Sequence, residues 1–213
     1  MNNEKASKEL MRGSGVLLPI SALPSPYGIG TLGKDAYDFV DELREAGQSY
    51  WQVLPIGPTS YGDSPYQSFS AFAGNPYFID LDMLAAEGLL DKEELENIDW
   101  QDTPSFVSYE KLWEHRFVIL NKAYKNADLI RDEDFLDFVK KNNYWLNDYA
   151  LFMAVKEHFG HKEWLKWDED IRFRKPAAVK KYTEMYAERI GFWKFVQYKF
   201  ATQWAALKAS TIQ

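Results

Sequence analysis

One run restricts what this chain can fold into more than any other. Tyr50-Trp51-Gln52-Val53-Leu54 reads as a strand, ends at Pro55, and passes into a long loop, residues 55–76, built from Gly, Pro, Ser, Tyr and Phe. Proline has no N–H for a ladder, so the strand signal has a defined end. The residues before it complete a unit. Gly15-Val16-Leu17-Leu18-Pro19-Ile20 reads as a short buried strand, and Ser25-Pro26-Tyr27-Gly28-Ile29-Gly30 as a turn. Ala36, Phe39, Val40 and Leu43 recur at i, i+3, i+4 and i+7, an amphipathic helix that stops near Gly47. Strand, helix and strand over about 40 residues predict a βαβ unit with parallel strands and a right-handed crossover. Parallel strands need both faces covered, so the fold class is α/β.

After the loop, residues 77–81 predict a third short extended piece. From Met83 onward the pattern is helical. One apolar stripe joins Tyr109, Leu112, Trp113, Phe117 and Leu120, a second Trp145, Tyr149, Phe152 and Met153, and a third Val196, Phe200, Trp204 and Leu207. Falling at helix period, these stripes read as core. Pro104 and Pro176 mark helix boundaries. The organisation expected is a ragged terminus over 1–12, a βαβ part over 13–82 that includes loop 55–76, a mainly helical block over 83–190, and a further helix over 191–213. Two parallel strands do not hold a sheet by themselves, and no strand signal follows the last helix, so the chain reads as part of a longer protein.

Composition removes several function classes. A net charge of -7 argues against a nucleic-acid partner, which needs a basic surface. The basic group Arg172, Arg174, Lys175, Lys180 and Lys181 is interleaved with Asp168, Glu169, Asp170 and Glu184, which predicts a salt-bridged solvated face. With no cysteine there is no disulfide, thiolate nucleophile or Cys-ligated zinc. The first eleven residues lack the apolar segment of a signal peptide, and no run reaches membrane-spanning length, so a cytoplasmic protein is expected. Aromatics make up 16% of the chain, including 8 Trp and 13 Tyr, enough for rings both in the core and on a flat-faced ligand such as a sugar.

Loop 55–76 carries the candidate chemistry. Asp63, Ser64 and Tyr66 place a carboxylate, a hydroxyl and a phenol where a barrel of βα units has its active face. The alternative is an Asx-type turn in which Asp63 bonds its own backbone ahead of Pro65. Glycoside chemistry needs two carboxylates across the scissile bond. Asp80 and Asp82 follow the loop, but neither makes a convincing partner for Asp63. Glu157-His158-Phe159-Gly160-His161 does not space two ligands on one helix face, so no metal is expected. Gly13-Ser14-Gly15 precedes a strand and lacks a third glycine, so it is no dinucleotide fingerprint, and no GxxxxGK loop occurs. No cofactor is implied.

Gly15-Val16-Leu17-Leu18, the run from Ser21 through Gly30, Tyr50-Trp51-Gln52-Val53-Leu54-Pro55 and the block 61–76 together resemble the N-terminal part of 4-α-glucanotransferases (amylomaltases, glycoside hydrolase family 77). Asn147-Asp148-Tyr149-Ala150-Leu151-Phe152-Met153-Ala154 and Gln203-Trp204-Ala205-Ala206-Leu207-Lys208 extend the match; over 84–144 it is looser. The resemblance implies a TIM-type (β/α)8 barrel with a large helical insertion, incomplete in these residues, and cofactor-free transfer of α-1,4-glucan chains. It makes Ser64 and Tyr66 contacts to the donor sugar, beside Asp63. Tyr61 and Trp113 fall on a secondary glucan-binding surface, where Trp113 replaces an expected tyrosine. The family's mechanism is retaining, with an Asp nucleophile, a Glu acid/base and a second Asp, all beyond residue 213, so no catalytic residue is assigned here. The expected partner is a maltooligosaccharide or α-1,4-glucan. Three fates remain open for these residues: the N-terminal part of the enzyme, a non-catalytic glucan-binding module, or an inactive truncated product.

Overall fold

The structure, a computed structural model, describes residues 12–60, 62–101, 103 and 105–211; Tyr61 and Pro104 lie outside the described residues. The βαβ opening forms as its pattern requires. Strands β1 (Gly15–Leu17) and β2 (Tyr50–Gln52) pair in parallel, with Val16 opposite Trp51 and Leu17 opposite Gln52. Helix α1 (Lys34–Glu45) crosses between them and buries Ala36, Val40 and Leu43. It ends before Gly47, whose φ of 67° is left-handed backbone that glycine adopts without strain. Side chains alternate across a strand, so Val16 and Trp51 share one face, and Trp51 meets Phe39 of α1 edge-on at 5.0 Å. The other face carries Leu17 and Tyr50, 55% and 61% exposed. The first strand is therefore exposed, not buried as its sequence suggests. Apolar composition signals a buried strand only when neighbours cover it, and α1 covers one side of a two-stranded sheet.

Residues 77–81 also depart from expectation. Pro76–Phe78 forms a 3-10 turn instead of an extended piece. The Asn75 side chain accepts from the Tyr77 N–H at 3.0 Å, and Pro76 takes the first helical position, where its missing N–H costs nothing. Asp80 then caps α2 (Leu81–Ala86) by accepting from the Met83 N–H at 2.9 Å. The helices α3 (Lys92–Glu96), α4 (Tyr109–Asn126), α5 (Glu133–Lys141), α6 (Asn143–His158), α7 (Glu169–Arg172) and α8 (Pro176–Met185) follow, with Pro176 at the start of α8 as its boundary signal predicts. Helix α9 (Ala187–Thr211) closes the described chain and touches α1, α4, α5, α6 and α8. It is buried at every residue from Phe195 to Phe200, the pattern of a helix enclosed by its neighbours.

Three buried polar side chains tie loop 55–76 and its exit to this helical body. Gln197 Nε2 donates to the Gly74 carbonyl at 3.0 Å, and its Oε1 accepts from the Gly74 N–H at 2.7 Å. Gln203 repeats the arrangement with Asp80, at 3.1 and 2.7 Å. Arg116 of α4, fully buried, donates to the carbonyls of Ile79 at 3.0 Å and Tyr27 at 3.1 Å, and lies over the Trp100 ring. A side chain at Gly74 would run into the Phe200 ring, so only glycine allows this approach.

The basic group is ion-paired in part: three of its five residues meet carboxylates, one of them the unexpected Asp148, while Arg172 donates to the Leu165 carbonyl at 3.0 Å. Arg174 meets Asp148 at 2.6 Å, Lys175 meets Asp170 at 2.6 Å, and Lys180 meets Glu184 at 3.9 Å. Among the described residues, no helix is long and apolar enough to cross a membrane.

Candidate functional site

The clamped end of loop 55–76 leaves a cavity of about 800 Å³ between the loop, α4 and α6, with Trp193 of α9 among its lining residues. Its α4 wall is a row of rings at i, i+4 and i+8: Tyr109, Trp113 and Phe117. The single stripe expected on this helix is thus two. Leu112, Arg116, Ile119, Leu120 and Ala123 are buried, while Trp113 is 49% exposed. The apolar arc is wider than one core face, and its excess faces the cavity.

Trp113 is held by two rings, His161 at 4.8 Å and Phe117 at 5.3 Å, both edge-on. His161 sits in a left-handed turn after α6, where Gly160 and His161 have φ of 62° and 60°. Partial burial holds the imidazole below its ordinary pKa, so it is neutral at pH 7. Glu157 is fixed by a two-pronged pair with Arg189, at 2.6 and 2.7 Å, and accepts from the Trp193 indole at 3.1 Å. The Lys156 ammonium lies 5.2 Å from the Phe69 ring centre, and burial lowers its pKa. His158 Nδ1 lies 2.5 Å from the Tyr186 hydroxyl, outside the cavity lining. No cluster of three or more potential metal ligands occurs among the described residues.

The structure brings Asp63 and Trp113 into this one cavity. Asp63 has a φ of 55° after Gly62 at 90°, and its N–H donates to the Ser60 carbonyl at 3.0 Å. Ser64 and Tyr66 lie on the adjoining stretch, outside the cavity lining. The Ser64 hydroxyl accepts from the Tyr66 N–H at 3.3 Å, and the Tyr66 ring is 73% exposed. Tyr61 is outside the described residues. Asp80 and Asp82 are committed elsewhere. Asp80 accepts from the Thr31 hydroxyl at 2.6 Å while capping α2, and Asp82 accepts from the Tyr27 hydroxyl at 2.8 Å. Sequence reasoning missed Tyr109, Lys156 and the Glu157–Arg189 pair as cavity features. The ring spacing on α4 was the available signal for the first; the pair spans two distant helices and left none.

Burial raises the Asp63 carboxyl above its ordinary value. A raised carboxyl pKa means that ionisation costs stability above the ordinary carboxylate range, a cost that vanishes as pH falls below it. Asp63→Asn is therefore expected to raise Tm by about 1–2 °C at pH 7 and by nothing at pH 3. Asparagine also tolerates the positive φ. Paired melts at the two pH values check this; equal shifts at both would remove the ionisation effect.

A family profile described as 4-alpha-glucanotransferase matches residues 18–213. The 4-alpha-glucanotransferase of Clostridium butyricum is 50% identical over 189 residues, covering 89% of this chain and 39% of that protein. That of Thermus thermophilus is 44% identical over 209 residues, covering 94% and 40%. Among solved structures, the amylomaltase of Streptococcus agalactiae in complex with acarbose superposes with a TM-score of 0.89 at 44% identity, over 94% of this chain and 41% of that one. The chain thus spans about two fifths of the length of the curated relatives it matches. It corresponds to their N-terminal portion, the opening of a TIM-type barrel with a large helical insertion, and two strands of the barrel are present among the described residues.

Proposed function

Because the chain belongs to the 4-alpha-glucanotransferase family, we propose that it supplies part of the substrate surface of an enzyme that transfers α-1,4-glucan chains between maltooligosaccharides. In a retaining transfer, a carboxylate attacks the anomeric carbon while an acid protonates the departing oxygen. The same acid, now a base, then takes the proton of the incoming sugar hydroxyl. These groups belong to the part of the family polypeptide beyond residue 213, and the reaction needs no cofactor. The residues here act on binding. Ser64, Tyr66 and Asp63 hold the donor sugar, and Trp113, with Tyr61, offers flat rings to a second stretch of glucan. Residues 13–82 make the barrel part, 83–190 the helical insertion and 191–213 a barrel helix, in a cytoplasmic protein.

The observation that carries this reading is the pairing of the family match with the presentation of Tyr66. Its ring is 73% exposed on a loop whose base is clamped to α9, so a rigid support offers a free phenol. In a full-length family protein carrying this loop, Tyr66→Ala is expected to lower the transfer rate roughly 10- to 100-fold, the loss of one stacking and hydrogen-bonding side chain. An unchanged rate removes Tyr66 from the site. The 213-residue chain alone is expected to release no glucose from maltotriose. Glucose with longer oligomers on chromatography would place a working carboxylate pair within these residues.

A further inference from the structure

We propose that Phe69 is a positioning residue for the donor-sugar contacts Ser64 and Tyr66, and that the Lys156 ammonium of α6 grips it. The inference rests on the reading of those two residues as donor contacts. The first observation is how residues 64–73 are held. The Gln67 N–H donates to the Ser64 carbonyl at 3.1 Å. Ser68 Oγ accepts from the Ser70 N–H at 3.3 Å and donates to the Ser70 carbonyl at 2.9 Å. Ser70 Oγ accepts from the N–H groups of Phe72 and Ala73 at 3.2 and 3.0 Å. Among the described residues, none of these bonds leaves the loop, and the Gln197 clamp begins only at Gly74. Such turns shape a loop without fixing it to the body. Side chains must do the fixing.

The second observation is where the Phe69 ring goes. Tyr66, Gln67 and Ser68 are exposed, whereas Phe69 is half-buried. It lies parallel to Tyr149 at 6.5 Å and tilted against Phe152 at 5.9 Å, with the Lys156 ammonium 5.2 Å from its centre. Tyr149, Phe152 and Lys156 fall at i, i+3 and i+7, so one side of α6 makes the seat. Phe72 also rests on α6, against Tyr144 and Trp145, but it is 60% exposed and stands twice as far along the chain from Tyr66. The ammonium gives the seat its grip. Lys156 lies 6.0 Å from the Phe152 ring as well, and the neighbouring Glu157 is taken by Arg189. A charge that burial has drawn partly out of water gains most from the face of a ring.

The test has two readouts. In the 213-residue chain, the rate of chymotrypsin cleavage after the exposed Tyr66 reports how often this stretch opens. In a full-length family protein carrying these residues, maltotriose turnover reports the donor site. Phe69→Ala is expected to speed cleavage at least roughly 10-fold, and Lys156→Met, which keeps the stem and removes the charge, roughly 5-fold. Cleavage after Phe106, exposed on another loop, should stay as it was, which separates local from global loosening. Each variant should lower kcat/KM by a similar factor. In the Phe69→Ala background, Lys156→Met should change neither quantity, because its charge acts through the ring. Lys156→Arg keeps a cation over that ring and should recover the loss. If Phe69→Ala does not fold, the two Lys156 variants read the same contact. Cleavage after Tyr66 that none of these variants alters overturns the proposal. So does an equal effect of Lys156→Met with and without Phe69, which would assign the ammonium to the glucan itself. A loosened loop with unchanged kcat/KM overturns the positioning role. A full-length parent that transfers no glucan overturns the functional reading and the donor role with it; the cleavage rates still show whether Lys156 holds the loop through Phe69.

Discussion

Arg116→Ala lowers the stability of this protein by about 3–5 kcal/mol, the largest effect expected of any single truncation here. The side chain is fully buried, and its two donors satisfy carbonyls at Tyr27 and Ile79, on either side of α1 in the sequence. Removing it strands both carbonyls away from water and empties the space over the Trp100 ring. Burial pushes the guanidinium down to about 10, opposed by nearby Asp80, so it stays charged at neutral pH. A Tm lower by roughly 10 °C is expected in a thermal scan. Arg116→Met restores volume without the bonds and should recover only part of the loss, and Arg116→Lys cannot reach both carbonyls from one point charge. A loss below about 1 kcal/mol for alanine would mean that both carbonyls find water, and the account of this residue would be wrong.

Gln203→Ala should cost about 2–4 kcal/mol, because one amide serves both main-chain groups of Asp80 and neither has another route to solvent. Gln197→Ala should behave alike at Gly74. The two differ in what they loosen. Asp80 keeps its own bonds to Thr31 and Met83, so Gln203→Ala is a stability lesion alone. Gly74 is held against Phe200 at the end of loop 55–76, so Gln197→Ala should also speed amide exchange along that loop. Urea titration gives the first quantity and exchange the second. Equal loop exchange in the two variants would show that the Gln197 pair does not anchor the loop.

Local patterns carried much of this fold. Ala36, Val40 and Leu43 announce α1 because one helix has one core side, and Pro176 announces the start of α8 because its ring suits only a first turn. Residues 77–79 misled because Tyr, Phe and Ile favour strands, whereas Asn75 and Pro76 just before them form a cap and a helix start. The exposure of β1 was invisible for another reason: burial belongs to neighbours, and no run of residues records who they are. The site divides likewise. A contiguous loop shows Asp63, Ser64 and Tyr66 as a group, and family likeness adds Trp113. The meeting of Trp113 with His161, or of Glu157 with Arg189, joins helices far apart in sequence. The glutamines of α9 look like ordinary polar helix residues until the backbone they clasp is in place.

Both of those clasps join residues 123 positions apart. Ring closure over such a distance costs little more than over half of it, so stability barely registers the separation, but order of events does. During synthesis, Gly74 and Asp80 leave the ribosome long before Gln197 and Gln203 exist. The loop that carries Tyr66 therefore emerges untethered and is fastened at Gly74 only when α9 is made. A ribosome paused before Ala187 would hold a nascent chain whose loop 55–76 is fully synthesised yet at Gly74 has nothing to close against.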